Sequence, residues 1–130
     1  MKDLSIGLKH ELIRTVTADD LADRYGSGGM PVFATPGMIA LMEGAACLLT
    51  KQDPYNIDTV GIEIAVRHNK ACLEGAKVSA EAELTKIDGK RLHFHVRAFG
   101  PDGEIGTAEH IRYIIDAEKF MAKLKEKESK

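Results

Sequence analysis

The strongest constraint on the fold is an apolar segment from Met30 to Thr50, whose twenty-one residues carry one charged side chain, Glu43. A membrane-spanning helix needs about 20 mainly apolar residues with few charges. Here Pro36, Gly37 and Gly44 interrupt the segment in addition to Glu43. We therefore expect a buried helix of a soluble protein rather than a membrane span.

We expect the helix within this segment to begin at Thr35 and to end near Lys51. Thr35 supplies a capping hydroxyl, and Pro36 is favourable at the first helical position. Apolar side chains lie on every side of the helix, as in a helix that neighbouring elements enclose. Because one sheet covers only one face of a helix, the remaining face needs a curved sheet or a second subunit to cover it.

Alternation of apolar and polar residues, which is the period of a β-strand, dominates the rest of the chain. We expect strands over residues 5–16, 59–68, 77–87, 90–99 and 104–115. The turn sequences Asp88-Gly89 and Gly100-Pro101-Asp102-Gly103 join the last three strands into hairpins. One or two helical turns over 18–25 and an amphipathic helix over 116–127 complete the prediction.

This order of elements predicts an α+β fold, as one domain over residues 1–130. A curved antiparallel β-sheet is expected to wrap the long central helix, and a second subunit to extend the sheet and cover the other face of the helix. That arrangement is the hot-dog fold, here with a short C-terminal helix.

The composition excludes several classes of protein. A net charge of -2 and a pI of about 6.2 are not those of a nucleic-acid-binding domain, which carries a basic field. Two cysteines, Cys47 and Cys72, are too few and too far apart for a disulfide framework or a zinc site. Charged residues break the first ten positions, so no signal peptide is visible. We expect a cytoplasmic protein without nucleic-acid or membrane partners.

Glu43 is the main candidate for a catalytic residue. An ionised carboxylate buried in an apolar helix is costly unless it is paired with a cation, hydrogen-bonded or needed for catalysis. It can act as a general base or a nucleophile, or serve as a structural glutamate at a subunit interface. His68 shares a strand face with Ile62, Ile64 and Val66. This is the face expected to meet the helix, so His68 is either a core residue or a catalytic partner.

Thr35 has a structural role as helix cap, and its distance from Glu43 limits any catalytic one. Eight residues of helix correspond to a rise of about 12 Å, so the two side chains cannot touch within one regular helix. They can act in one reaction only through the substrate, a loop that folds back, or a second subunit. The free amide groups at the helix start are suited to stabilise an oxyanion.

Other candidate residues have simpler interpretations. Cys47 follows Glu43 on the same helix face and is interpreted as a packing residue. His93 and His95 are expected on the solvated sheet face. His110 and Arg112 share a face of the last strand whose direction the pattern leaves open. No Gly-rich phosphate loop, HExxH or GxSxG motif is present, which gives no support to nucleotide hydrolysis, metalloproteolysis or serine-hydrolase chemistry.

Three segments, VFATPGMIALMEGAACLL, GIEIAVRHNKACLEG and EIGTAEHIRYIIDAEKF, resemble the fluoroacetyl-CoA thioesterase family, with matching order and spacing over about residues 6–125. The resemblance implies a homodimeric hot-dog enzyme that hydrolyses acyl-CoA thioesters without metal or cofactor. The family's catalytic threonine, glutamate and histidine fall on Thr35, Glu43 and His68. Its substrate-contacting glycine and arginine fall on Gly61 and Arg112.

One segment departs from the family pattern, which has lid phenylalanines just before VFAT that exclude water and select fluorine. Residues 25–30 read YGSGGM, and glycine cannot form a hydrophobic gate. We therefore expect a broader or different acyl-CoA preference. Two alternatives stay open: a hydratase of enoyl-CoA or acyl-ACP on the same fold, and a non-catalytic module that acyl-CoA or another small ligand stabilises by binding. The sequence also leaves dimer and tetramer open.

Overall fold

Within residues 4–53 and 57–129, which the computed structural model describes, five strands form one antiparallel sheet. The strands lie in the order β1-β3-β4-β5-β2, so β1 and β2 are its edges. Their bounds are β1 Lys9–Thr15, β2 Asp58–His68, β3 Lys77–Asp88, β4 Arg91–Gly100 and β5 Gly103–Ile115. The α-helices are α1 Ala22–Tyr25, α2 Thr35–Thr50 and α3 Ala117–Glu128, and a short 3-10 helix, Ala18–Asp20, precedes α1.

The core lies between α2 and the inner face of the sheet. α2 packs against β1, β2, β3 and β4. Small side chains on the inner face let the helix come close, and a Cβ at Gly44 of α2 would lie 2.8 Å from Leu12 Cδ2. The fully buried side chains from both layers include Met38, Leu41, Met42, Leu49, Ala80, Ala82, Leu84, Leu92, Phe94 and Val96.

One side of α2 is open in the single chain. Leu48 is 41% exposed, Ala40 is exposed, and Ile39 and Cys47 are only half-buried. Their helical spacing places them on one stripe together with Glu43, whose side chain is 40% exposed. Glu43 is therefore only partly buried in the single chain, because the sheet covers only the opposite face of the helix, and its enclosure by two subunits stays a prediction.

A β-bulge in β2 changes which residues face the helix. Gly61 pairs with Arg112 and Ile64 with His110, with one extra residue inserted between Gly61 and Glu63. Ile62 is 46% exposed, so its predicted place on the inner face is wrong. The bulge inverts the alternation and turns Gly61 inward instead.

The predicted elements at the chain ends need small corrections. β1 begins at Lys9 rather than at residue 5, because a turn around Gly7, with a positive φ of 95°, precedes it. The N-cap of α3 is Asp116, whose side chain accepts a hydrogen bond from the Lys119 amide. None of the helices among the described residues is long and apolar enough to cross a membrane.

Candidate active site

Thr35 and His68 form a hydrogen-bonded pair where the start of α2 meets the end of β2. Thr35 Oγ1 lies 2.8 Å from His68 Nδ1. The predicted capping role of Thr35 is wrong: the N-cap is Ala34, with extended backbone, and Thr35 is the first residue of the helix. Its hydroxyl is consequently directed to the imidazole rather than to backbone amides.

The environment of His68 favours the neutral imidazole. Burial lowers the pKa of His68 below its usual value, and the nearby backbone of Lys70 opposes this effect to a smaller extent. The ring packs edge-on against Phe33, with centroids 6.4 Å apart. Nε2 is buried and makes no hydrogen bond of standard geometry with the described residues. A neutral ring with Nδ1 free to accept can take the proton of the Thr35 hydroxyl.

A cavity of about 280 Å³ opens beside this pair. Residues of the α1 segment, the segment before α2 and the chain after β2 line it: Ala22, Ser27, Val32, Phe33, Thr35, His68, Asn69, Lys70 and Ala71. Ser27 belongs to the glycine-rich segment 25–30, and Tyr25 and Met30 at its ends are both exposed. The cavity therefore leaves the Thr35 hydroxyl accessible to a small molecule.

A second cluster surrounds Glu43 in the middle of α2. Its Oε2 lies 3.6 Å from Arg112 Nη1. Gly61 faces the pair, and a Cβ at this position would lie 2.6 Å from Glu43 Oε2. Any side chain at position 61 would displace the carboxylate, so the absence of a side chain there leaves the space that Glu43 occupies.

Arg112 is itself buried, with 7% exposure. Its Nε donates to Thr59 Oγ1 at 2.9 Å and its Nη2 to the Thr59 carbonyl at 3.2 Å. These two hydrogen bonds to Thr59 of β2 fix the position of the Arg112 cation next to Glu43. The structure brings three of the predicted site residues together here: Glu43, Gly61 and Arg112.

His110 is a member of this cluster whose direction sequence reasoning left open. It is 1% exposed, its Nδ1 donates to the Glu63 carbonyl at 2.8 Å, and its Nε2 lies 3.2 Å from Arg112 Nη1. Burial lowers its pKa, and Arg112 acts in the same direction. Gly106 and Ala108 lie on the same face of β5 as His110. Their small size in the sequence could have indicated that this face packs against the helix.

The two clusters lie apart within one chain. Eight residues of α2 separate Thr35 from Glu43, a rise of about 12 Å. His68 and Gly61 are likewise separated along β2, which runs beside α2 in the opposite direction. The chain thus presents a Thr–His pair and a Glu–Arg–His cluster along the same open side. Among the described residues, no group of three or more His, Cys, Asp or Glu side chains is placed to hold a metal ion.

The sequence profile of fluoroacetyl-CoA-specific thioesterases matches residues 16–118. The chain belongs to this family. The fluoroacetyl-CoA thioesterase of Streptantibioticus cattleyicolor is 38% identical over 99 residues, which cover 74% of this chain and 70% of that protein. A solved threonine-to-serine variant of the fluoroacetyl-CoA thioesterase in complex with acetyl-CoA is 30% identical, with a TM-score of 0.87 over 95% of this chain and 98% of that chain.

A hot-dog-like protein from Thermanaerovibrio acidaminovorans, 16% identical, has the same fold, with a TM-score of 0.84 over 95% of this chain and 93% of that chain. The predicted hot-dog fold and the predicted enzyme class, a thioester hydrolase, are therefore confirmed. The roles of Thr35, Glu43, His68, Gly61 and Arg112 remain predictions.

Proposed function

We propose that this protein hydrolyses acyl-CoA thioesters at a site built by a homodimer, where Thr35 and His68 of one subunit meet Glu43 of the partner subunit. The observation that carries the proposal is the Thr35–His68 hydrogen bond of 2.8 Å beside a cavity, on the side of α2 left open in the single chain. Neither cluster alone supplies both a proton relay and a carboxylate.

Twofold symmetry offers a simple way to unite the clusters. A dimer that packs the open stripe of α2 against its own copy, running in the opposite direction, places the start of one helix beside the middle of the other. Ile39 lies midway between Thr35 and Glu43, and the exposed Ala40 beside it allows close approach. The edge strand β2 has unpaired backbone groups that a second β2 can pair.

In the proposed reaction, the thioester carbonyl oxygen is stabilised by amide groups of the first turn of α2, where the positive end of the helix lies. The Glu43 carboxylate takes a proton from water while the water oxygen bonds to the carbonyl carbon, or attacks that carbon itself. Collapse of the adduct breaks the carbon–sulfur bond. The departing CoA thiolate takes a proton from Thr35 and His68, which regain one from the proton that Glu43 or water releases. Where Glu43 itself attacks, the acyl group stays on its carboxylate as an anhydride after the thiolate leaves, and water then hydrolyses this anhydride. In both cases the products are a free acid and CoA.

We also propose that the substrates of this protein are not restricted to fluoroacetyl-CoA. Segment 25–30 contributes Ser27 to the cavity and contains no phenylalanine, and its one aromatic residue, Tyr25, is exposed and does not line the cavity. The segment therefore supplies no aromatic gate at the cavity. A cavity of about 280 Å³ suits a short acyl chain. The reaction as written needs neither metal nor cofactor, and the low cysteine content agrees with a cytoplasmic location.

The test is release of free CoA from a panel of short and medium acyl-CoAs. Purified wild-type protein should release CoA, and Glu43→Gln should lose most of this activity. Glu109→Gln, which alters an exposed carboxylate bonded to His95 on the outer sheet face, is the matched control. Turnover by Glu43→Gln at the wild-type rate would remove Glu43 from the reaction, and hydration without CoA release would indicate a hydratase instead.

A further inference from the structure

Thr59 and His110 contact the Arg112 guanidinium in addition to Glu43. Thr59 accepts two of its hydrogen bonds, through Oγ1 at 2.9 Å and the backbone carbonyl at 3.2 Å. The remaining nitrogen, Nη1, lies 3.2 Å from His110 Nε2 and 3.6 Å from Glu43 Oε2. Because the Glu43 side chain is 40% exposed while Arg112 is buried, the arginine is the fixed partner and the glutamate the adjustable one.

Arg112 Nη1 has an acceptor in His110 only if the imidazole proton is on Nδ1 and not on Nε2. Nδ1 must carry a hydrogen, because its partner at 2.8 Å is the Glu63 carbonyl oxygen. A neutral imidazole has a single N–H, which leaves the lone pair of Nε2 directed at Arg112. The opposite tautomer would set an N–H of His110 against an N–H of Arg112. Burial, which lowers the pKa of His110, maintains the neutral ring.

We propose that His110 is a positioning residue, which fixes Arg112 through Nε2 and thereby sets the position of the Glu43 carboxylate. The inference rests on the proposed function in taking Glu43 as the reacting group, whereas the hydrogen bonds themselves can be tested without substrate. His110 lies behind Arg112 with 1% exposure, so it acts through the arginine and not on the thioester.

Two substitutions separate the positioning role from a merely structural one. In His110→Gln the amide oxygen can replace Nε2 as acceptor for Arg112, whereas in His110→Asn the shorter amide can replace Nδ1 as donor to the Glu63 carbonyl. We expect His110→Gln to keep most of the wild-type kcat. We expect His110→Asn to lower kcat about ten- to hundredfold, as for loss of a hydrogen bond to a charged group, with little change in KM.

If His110 served only to join β2 to β5 through Glu63, the order of the two variants would be reversed. His95→Gln, which alters a histidine bonded to Glu109 on the outer face, is the control and should leave kcat unchanged. Thermal unfolding checks that each variant is folded. Should His110→Asn not fold, Thr59→Val, which removes the acceptor of Arg112 Nε, tests whether fixing the arginine matters for kcat, and the protonation of His110 in the wild-type protein tests the role of His110 itself.

Nitrogen-15 NMR supplies a measurement that does not depend on turnover. The wild-type spectrum should show His110 protonated on Nδ1 and unprotonated on Nε2. The Arg112 Nε–H signal, assigned with Arg112→Lys, should shift and exchange faster in His110→Asn or Thr59→Val but not in His110→Gln. The opposite tautomer, or an unchanged Arg112 signal in all variants, would overturn the positioning role. If wild-type protein releases no CoA from any substrate while these signals behave as described, the proposed function fails and the positioning role stands.

Discussion

Replacement of Gly61 by alanine is expected to disable the enzyme while leaving the protein folded. The new Cβ would lie 2.6 Å from Glu43 Oε2. Carbon and oxygen atoms that are not bonded normally stay about 3.5 Å apart, so the carboxylate must move by about 1 Å. A misplacement of about 1 Å at a reacting group costs roughly 100-fold in rate. We therefore expect kcat to fall roughly 100-fold.

The cost to stability is expected to be small. The atom in the way belongs to the end of a flexible side chain that is 40% exposed, so the chain can turn aside without moving backbone. Arg112 Nη1 and His110 Cε1, each 3.2 Å from the new Cβ, need to shift by only a few tenths of an ångström. We expect the melting temperature to change by no more than about 4 °C, equivalent to about 1 kcal/mol.

The assay compares CoA release and thermal unfolding of Gly61→Ala with those of Gly100→Ala. Gly100 is also a strand glycine with a tight neighbour, since its Cβ would lie 3.0 Å from Ile105 Cγ2, but it is not part of the Glu43 cluster. Gly100→Ala should keep the wild-type kcat. A folded Gly61→Ala protein with unchanged kcat would refute the reasoning, and so would equal losses in the two variants.

Three further predictions concern the Thr–His pair, pH and the dimer. Thr35→Val removes the hydroxyl bonded to His68 and should lower kcat about 10²- to 10⁴-fold, whereas Thr35→Ser should retain most of it in the same CoA-release assay. The pKa values of His68 and His110 are lowered in the folded protein, so the unfolded chain binds protons first as the pH falls below about 6.5. The melting temperature should therefore fall on acidification, and it should fall less for His110→Gln than for the wild type. An equal fall in both proteins would contradict the contribution of His110 to this pH dependence. Leu48→Glu places a charge on the open stripe of α2 and should convert dimers to monomers in sedimentation while abolishing CoA release; active monomers would contradict a shared site.

The sequence predicted the fold well where periodicity is strong. The helix expected from Thr35 to about Lys51 is observed over Thr35–Thr50, and β3, β4 and β5 lie within one residue of their predicted starts and ends. In these segments most inward positions are apolar or small, with His110 and Arg112 of β5 as exceptions, so local preference and burial largely agree. The hairpin turn at Asp88-Gly89 is observed as well, with a positive φ of 60° at Gly89.

The bulge in β2 could not be predicted from alternation. Ile62, Ile64 and Val66 follow one another with period two, and nothing in that pattern marks an extra residue. Only the pairing of Gly61 with Arg112 and Ile64 with His110 reveals it. The predicted inner position of Ile62 was therefore wrong, although it was the bulge that brought Gly61 to Glu43.

The candidate site was predicted in part. Its residue types were predicted from a lone charge in an apolar helix and from a family resemblance, but only the structure shows how these residues are grouped. The calculated rise along the helix indicated that Thr35 and Glu43 cannot meet in one regular helix. The sequence did not predict which face of α2 the single chain leaves uncovered, because apolar residues lie on every side of this helix.

Mixing two inactive variants tests the shared site most directly. Thr35→Ala and Glu43→Gln protomers, co-expressed or exchanged between dimers, form mixed dimers in which one site carries both changes and the other carries neither. We expect roughly a quarter of the wild-type CoA release per subunit, because about half of the dimers are mixed and each has one intact site of two. If the mixture releases no more CoA than the two variants measured separately, although sedimentation shows mixed dimers, Thr35 and Glu43 do not act across the subunit boundary.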